Sequence, residues 1–236
     1  MNTRFRRRGT RIALLFFLLV FTAKEAAAFV LPSDPTVGAG SEWVYDSNLG
    51  ETHVRMIERD EVSPGVERYR WDMRVAGMRY VEDLELTDTR LGVMWRRLSG
   101  FGVVRQEFSF EDPELVMELP LEVGQTWSWS GPATMGHRSG TAQAVGEVVA
   151  VETITVPAGT FETLHIVLVR DDSFGTRQVI DLWFDPLVGP IKAHGDLRWN
   201  GLIGFFQDLV GLNRFEVELV EYEIVRPLPV ASATDY

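Results

Sequence analysis

Apolar and polar residues alternate with a period of two along most of the chain. In one segment the apolar residues are Tyr69, Trp71, Met73 and Val75. The positions between them are held by Arg70, Asp72 and Arg74. Successive side chains of a β-strand point to opposite faces, so this pattern predicts strands with one buried and one solvated face. Such alternation is typical of antiparallel sheets. The predicted fold class is therefore all-β and mainly antiparallel.

The last apolar segment predicts a bent strand. Its apolar residues fall at odd positions up to Leu219 and at even positions from Val220 onward. One inserted residue at this point keeps every apolar side chain on the same face, which is the signature of a β-bulge. A bulge bends its strand, so we expect a curved sheet or half-barrel rather than a flat sheet.

Turn residues divide the second half of the chain into hairpins. Residues 156–160 read Val-Pro-Ala-Gly-Thr, with proline and glycine where a type I turn prefers them. This turn predicts a hairpin of 148–156 with 161–169. The acidic segment 171–175 predicts the next turn, and it carries too few oxygen ligands at regular spacing for a calcium loop.

Two glycine-tryptophan segments predict an internal repeat. Residues 40–45 and 124–129 both begin with glycine and carry tryptophan at the fourth position. We therefore interpret 29–226 as a single β-rich domain made of two related β-meanders, 29–113 and 114–226. Residues 227–236 begin Pro-Leu-Pro, show no periodicity, and are expected to form a disordered tail.

The chain begins with a segment typical of a secretory signal peptide. Five arginines in the first eleven residues precede an apolar run over 12–23, and Ala26-Ala27-Ala28 supplies small residues for cleavage. We expect residues 1–28 to be removed after export by the general secretion route, leaving no stable membrane-spanning segment. The chain has no cysteine, so we expect no lipid anchor on cysteine and no disulfide. The predicted location is periplasmic or secreted.

The charge balance bears on the partners. The formal net charge is −11, and removal of the arginine-rich signal makes the mature chain more negative. Such a surface repels phosphate backbones, so we expect no nucleic-acid partner.

Three motifs in the second half occur in a fixed order. Residues 120–127 read Pro-Leu-Glu-Val-Gly-Gln-Thr-Trp, 156–161 read Val-Pro-Ala-Gly-Thr-Phe, and 183–192 read Trp-Phe-Asp-Pro-Leu-Val-Gly-Pro-Ile-Lys. This layout resembles a broad family of uncharacterised exported bacterial proteins and lipoproteins, a domain of unknown function with LxVGxxW, VPAGxF and GxVK motifs. The resemblance covers 120–192 well and the first half only through the Trp43 motif, and Pro190-Ile191 is a mild departure. It implies a curved sheet similar to the half-barrels of periplasmic lipoprotein carriers, and no catalytic residues.

Residues able to support catalysis are sparse. None of the four histidines, His53, His137, His165 and His194, is spaced from another as metal ligands are, and no nucleophile motif frames a serine. We therefore expect no enzymatic activity, no metal and no cofactor. Glu82 and Glu152 fall on the apolar parity of their strands. Either a local bulge turns each of them outward or they point into a cavity, and we favour the bulge.

Aromatic residues are the strongest indication of a binding surface. They either fill a broad core or line a cleft for an apolar ligand. The candidate ligand-contacting residues are Trp71, Trp95, Trp127, Trp129, Trp183, Trp199, Phe205 and Phe206. The apolar segment 202–212 is predicted to be one short helix or lid, either fixed over one end of the sheet or hinged at its glycines.

These features favour an exported, non-enzymatic binding protein that holds an apolar small molecule or lipid on a concave β-face. One alternative is a structural or interaction protein of the bacterial envelope, with another envelope protein as its partner. A second alternative is a carbohydrate-binding module that uses exposed tryptophans.

Overall fold

The computed structural model describes residues 38–75, 77–100, 104–199 and 214–226. These residues form twelve β-strands: β1 Glu42–Ser47, β2 Thr52–Ser63, β3 Val66–Val75, β4 Met78–Thr87, β5 Arg90–Gly100, β6 Val104–Glu118, β7 Thr126–Met135, β8 Arg138–Val156, β9 Gly159–Asp172, β10 Thr176–Asp185, β11 Gly189–Trp199 and β12 Arg214–Glu223. Every pairing between neighbouring strands is antiparallel, so the predicted fold class is confirmed.

The strands close into a barrel. Each strand pairs with the next along the chain, and β12 pairs with β1 through contacts such as Trp43 with Tyr222. The expected half-barrel is therefore wrong, because the first and last strands meet. Alternation along a strand has the same appearance in an open and in a closed sheet, since it reports only which face is buried.

The antiparallel order gives the barrel two distinct ends. The turns after β2, β4, β6, β8 and β10 lie at one end, here called the hairpin end. The turns after β1, β3, β7 and β9 lie at the opposite end, where β5 and β11 also finish.

The longest hairpin folds over the hairpin end. Residues 151–163, here called the plug hairpin, extend beyond the paired parts of the neighbouring strands β7 and β10. At its tip the backbone N–H of Ala158 donates a 3.0 Å hydrogen bond to the carbonyl of Leu219 on β12. Val156 is buried there among Trp43, Val188 and other apolar residues of the barrel interior.

Apolar side chains fill the interior near the hairpin end. One cluster includes Trp43, Val93, Ile191 and Leu219, all fully or almost fully buried. The indole N–H of Trp43 donates a 2.8 Å hydrogen bond to the carbonyl of Val188, so its polar atom is satisfied within this core. A second apolar cluster comprises Met117, Leu119, Leu121, Trp127, Val148, Leu164, Ile166 and Phe184.

The predicted bulge and turns are present. Tyr45 pairs with Leu219 and Val44 with Glu221, which leaves Val220 as the inserted residue. Val156 pairs with Gly159 across the predicted turn, and 172–176 connects β9 to β10. The repeat of 29–113 and 114–226 stays a prediction, although Trp43 and Trp127 both occupy the second position of a strand that starts at the hairpin end.

The predicted helix or lid over 202–212, the signal segment 1–28 and the tail 227–236 lie outside the described residues. Within the described ranges the regular structure is all strand. No helix in that part of the chain is long and apolar enough to cross a membrane.

Candidate functional site

The barrel interior changes from apolar to charged along its axis. Near the hairpin end the inward side chains are aliphatic and aromatic. Towards the opposite end the inward faces of β4, β5, β6 and β9 carry ionisable groups, and we call this region the charged half. It comprises Tyr80, Glu82, Arg96, Glu114 and Arg170.

A single carboxylate joins two arginines in the charged half. Nη2 of Arg96 donates to Oε2 of Glu114, and Nε of Arg170 lies 3.4 Å from Oε1 of the same carboxylate. The side chain of Glu114 is only 3% exposed. Because an unpaired buried charge is costly, each arginine depends on this carboxylate, and the carboxylate on the arginines.

Glu82 completes the cluster from β4. The hydroxyl of Tyr80 donates a 2.6 Å hydrogen bond to Oε1 of Glu82, which lies 3.8 Å from Nε of Arg96. Glu82 pairs across the sheet with Trp71, a residue packed against the apolar core. It therefore faces the interior, and the favoured prediction that a bulge turns it outward is wrong.

The surroundings shift the pKa values of Arg96 and Tyr80 in this cluster. Burial lowers the pKa of Arg96, and the neighbouring Arg170 acts in the same direction, while Tyr80 and Glu82 oppose them. Burial, reinforced by the charge of Glu82, raises the pKa of Tyr80. The raised pKa keeps the Tyr80 hydroxyl protonated beside the carboxylate of Glu82.

Several inward side chains near the opposite end are only partly buried. They lie on strands all round the barrel: Tyr80, Leu98, Phe108, Trp129, Ile180 and Phe215. The side chain of Glu82 is 20% exposed even though it points inward. These inward residues are therefore less completely buried than the core residues near the hairpin end.

The predicted aromatic residues do not form one surface. Trp71 stacks on Trp43 with ring centroids 5.2 Å apart, and Trp127 is buried in the second apolar cluster. Trp129 faces inward and packs edge-on against Phe110. These rings belong to the interior, but only Trp129 lies beside the charged half.

Two of the predicted tryptophans lie on the outer wall. Trp95 pairs with Asp83 and Ser109 on the outer parity, and the guanidinium of Arg97 lies over its ring at 4.7 Å. Trp183 pairs with His165 and Lys192, also on the outer parity. The described part of the structure does not include the side chain of Trp199, nor Phe205 and Phe206.

Trp183 forms part of a hydrogen-bonded cluster on the outer wall. Its indole N–H donates to Oε2 of Glu152 at 2.8 Å, and its ring stacks on His165 at 4.5 Å. His165 also contacts Glu152 and Asp181, and Asp181 contacts His194. The bulge between Val148 and Ala150 turns Glu152 outward, so this half of the carboxylate prediction is confirmed.

A shallow groove of about 570 Å³ runs along the outer wall of β2 to β5. Trp95 and Val81 contribute its apolar lining. Its charged side chains pair with neighbours, as Arg70 does with Glu58 and Asp83. Cross-strand ion pairs are therefore present on this side of the barrel.

The sequence contains a signal for the charged half in the positions of its arginines. The apolar parity of Leu164, Ile166 and Leu168 continues directly to Arg170, which places that arginine inside. Arg96 and Arg97 are adjacent, so one of them has to face inward unless a bulge intervenes. An arginine on an apolar parity is the pattern that could have identified the site.

Metal chemistry finds no support in the described residues. No group of three or more histidine, aspartate or glutamate side chains among residues 38–75, 77–100, 104–199 and 214–226 is arranged to hold a metal ion. The outer cluster of His165 and His194 consists of hydrogen-bonded side-chain pairs instead.

Comparison with known proteins gives only distant likenesses. No family model matches the chain, and no curated protein matches it. A candidate lipoprotein from Parabacteroides distasonis is 11% identical, with a TM-score of 0.45 over 85% of this chain and 100% of the other. A candidate exported protein with a YmcC-like fold from Bacteroides fragilis is 12% identical, with a TM-score of 0.46 over 84% of this chain and 100% of the other. At this level of similarity neither structure bears on the function.

Proposed function

We propose that the chain is an exported, non-enzymatic binding protein that holds an apolar or amphipathic molecule inside its barrel. The proposal keeps the ligand class favoured by the sequence but moves the site from an open concave face to the closed interior. The observation that carries it is the partial exposure of inward residues such as Tyr80, Phe108 and Ile180 in a barrel whose other end is tightly packed.

The composition of this half suits a ligand site. Small-molecule sites are mostly apolar, with a few polar groups that fix the orientation of the ligand. Here aromatic and aliphatic side chains surround one compact ionic cluster. The small side chains of Ala142 and Ala144 on β8 face inward beside Arg170. The plug hairpin covers the hairpin end, so the ligand enters from the opposite end.

Export is part of the proposal and rests on the sequence. The basic start, the apolar run and the three alanines of residues 1–28 are typical of a cleaved signal. An exported carrier works in a compartment where apolar metabolites and lipids need shielding from water. The location that follows is the periplasm or the medium.

Carbohydrate binding receives less support from the outer groove. A sugar ring usually stacks on a free aromatic face, but Arg97 covers one face of Trp95. The charged groups of the groove, including Arg70 and Asp83, are already paired with each other. Interior binding therefore accounts for more of the geometry.

Titration with the neutral fluorophore N-phenyl-1-naphthylamine tests the proposal. Ile180 faces the interior and pairs with Leu168 and Gly195, so Ile180→Trp fills part of the charged half. We expect the full exported protein to bind the fluorophore with blue-shifted emission. Ile180→Trp should weaken this binding at least about tenfold, because the larger ring occupies the same volume.

The matched control is the preceding residue. Val179 pairs with Val169 and Asp196 on the outer parity, so Val179→Trp adds the same ring outside the barrel. This variant should bind the fluorophore as the unsubstituted protein does. Absence of binding to the unsubstituted protein, or equal loss in the two variants, would overturn the proposal.

A further inference from the structure

Unpartnered hydrogen-bond donors are concentrated inside the barrel. Among the described residues, four buried side-chain atoms have no hydrogen-bond partner: Arg96 Nε, Arg97 Nε, Trp127 Nε1 and Arg170 Nε. All four are N–H donors, and all except that of Arg97 belong to inward-facing residues. A buried donor without an acceptor loses its hydrogen bonds to water and gains none in the protein, so native structures rarely retain one.

The three inward donors lie on neighbouring rows of the barrel wall. Ala144 on β8 pairs with Arg170, and Gly146, the next inward residue of the same strand, pairs with Trp127. Arg96 is linked to Arg170 through their shared contact with Glu114. The donors of Arg96 and Arg170 therefore border one region of the interior, and Trp127 belongs to the adjoining apolar cluster.

Protein acceptors nearby do not satisfy these donors. Nε of Arg96 lies 3.8 Å from Glu82, which is beyond hydrogen-bond distance. Nε of Arg170 lies 3.4 Å from Glu114 without hydrogen-bond geometry. Trp43 shows the contrast, because its indole N–H is also buried but donates to the carbonyl of Val188. The Nε atoms of Arg96 and Arg170 therefore lack hydrogen-bond partners, although both guanidinium groups are paired with carboxylates.

The charge balance decides what kind of acceptor fits. The two guanidinium groups of Arg96 and Arg170 already face the carboxylates of Glu82 and Glu114. Asp172 adds a further negative charge that acts on Arg96. A ligand carboxylate or phosphate would bring another buried negative charge without a counter-ion, which is strongly unfavourable. An uncharged oxygen accepts the same hydrogen bonds at no such cost.

We infer that the ligand is an uncharged amphiphile whose ester or hydroxyl oxygens accept hydrogen bonds from Arg96 and Arg170. Its apolar part lies along the aromatic and aliphatic wall near Phe108 and Ile180. This inference rests on the proposed interior site and names the chemical class that it selects. A glyceride with one acyl chain is the simplest molecule of this class, and the free fatty acid of equal chain length is its charged counterpart.

Competition against N-phenyl-1-naphthylamine at neutral pH tests the inference. The two competitors are 1-decanoylglycerol and decanoate, both used below their micellar concentrations with the full exported protein. We expect the glyceride to compete at least about tenfold more strongly than decanoate, because the carboxylate of decanoate adds a buried negative charge. Arg170→Lys keeps the positive charge beside Glu114 but removes the guanidinium N–H, and should weaken competition by the glyceride about tenfold, equivalent to the loss of about one satisfied buried donor.

Arg97→Lys is the matched control, because Arg97 also has a buried unpartnered Nε but lies on the outer parity. It should leave competition by the glyceride unchanged. Equal or stronger competition by decanoate overturns the inference, as does unchanged competition by the glyceride in Arg170→Lys. A fluorophore that binds but is displaced by neither amphiphile overturns the inference while leaving the proposed function in place. Failure of the fluorophore itself to bind overturns both.

Discussion

Glu114 is the side chain on which the interior charges depend. It accepts from Arg96 and lies within ion-pair distance of Arg170, and it is almost completely buried. Replacing a buried pair by apolar groups is often tolerated, but removing one partner leaves an uncompensated charge in a poorly solvated place. Its role is therefore easier to detect by substitution than the role of an exposed acid.

Glu114→Gln is expected to destabilise the protein by about 3 kcal/mol, because two guanidinium groups then share an uncharged amide. Urea denaturation followed by far-ultraviolet circular dichroism measures the loss. Glu107→Gln is the control, since Glu107 accepts from Arg105 in an exposed pair on the outer wall. It should leave the midpoint unchanged. Similar urea midpoints for the two variants would show that the interior network contributes no more to stability than an exposed ion pair.

Glu82 and Glu152 show how far the sequence determines where a side chain points. Both sit on the apolar parity of their strands, and a bulge was expected to turn both outward. Only β8 has the bulge, between Val148 and Ala150, and there Glu152 meets Trp183 and His165. Glu82 stays inside because Tyr80 and Arg96 from the same and the next strand provide polar partners. Arg96 comes from the neighbouring strand through tertiary pairing, which no local pattern contains.

The plug hairpin is an extension of two strands that becomes part of the core. Its tip is held by the Ala158–Leu219 hydrogen bond and by the burial of Val156. The inserted residue Val220 follows Leu219 directly, at the point where the pairing of β12 with β1 changes register. The bulge and the turn were both predictable from the sequence, but their contact was not, since it joins segments about sixty residues apart.

Val156→Thr tests whether the hairpin is anchored by its buried tip. The hydroxyl is nearly isosteric with a methyl group but meets apolar neighbours, so the docked state loses stability. Hydrogen exchange of the amides in 151–163 should accelerate about tenfold through local opening, while exchange in β3 to β5 stays unchanged.

The control lies on the same hairpin. Val151 is 41% exposed, so Val151→Thr places the same hydroxyl in water and should not alter exchange. Acceleration throughout the barrel in Val156→Thr would contradict local docking, because it would mean that the hairpin and the barrel open together.

Closure of the barrel could not be predicted from the sequence pattern. The class of fold, the antiparallel pairing and the inward parity of residues such as Trp71 and Ile191 all follow from alternation. Closure depends instead on the pairing of Trp43 with Tyr222, at opposite ends of the described chain. That pairing is set by strand number and stagger, which accumulate over all twelve strands. A curved sheet was therefore predictable, whereas the pairing of its first strand with its last strand was not.

Acid sensitivity of the whole barrel follows from ion pairs on β2, β3 and β4. Burial opposes ionisation of Asp72, but hydrogen bonds from Arg79 and Arg74 outweigh it and lower the pKa of that carboxyl below its ordinary value of 3.8. Burial likewise opposes ionisation of Glu67, whose pKa is nevertheless lowered by hydrogen bonds from Arg59 and Tyr69, below the usual 4.5. A lowered pKa in the folded state contributes stability above the unfolded value, and this stability disappears as pH falls through the folded value.

We therefore expect the contribution of these groups to be constant from pH 7 to about pH 5 and to fall below about pH 4.5. Asp72→Asn removes the share of Asp72, so the variant should be less stable than the unsubstituted protein at pH 7. The difference between their urea midpoints should shrink as pH drops below 3.8, where the unfolded carboxyl becomes protonated.

Added salt screens exposed pairs much more than buried ones, so the difference should survive in high salt, because the Asp72 side chain is only 8% exposed. A difference that stays constant down to pH 2 would mean that Asp72 acts through packing and not through its charge.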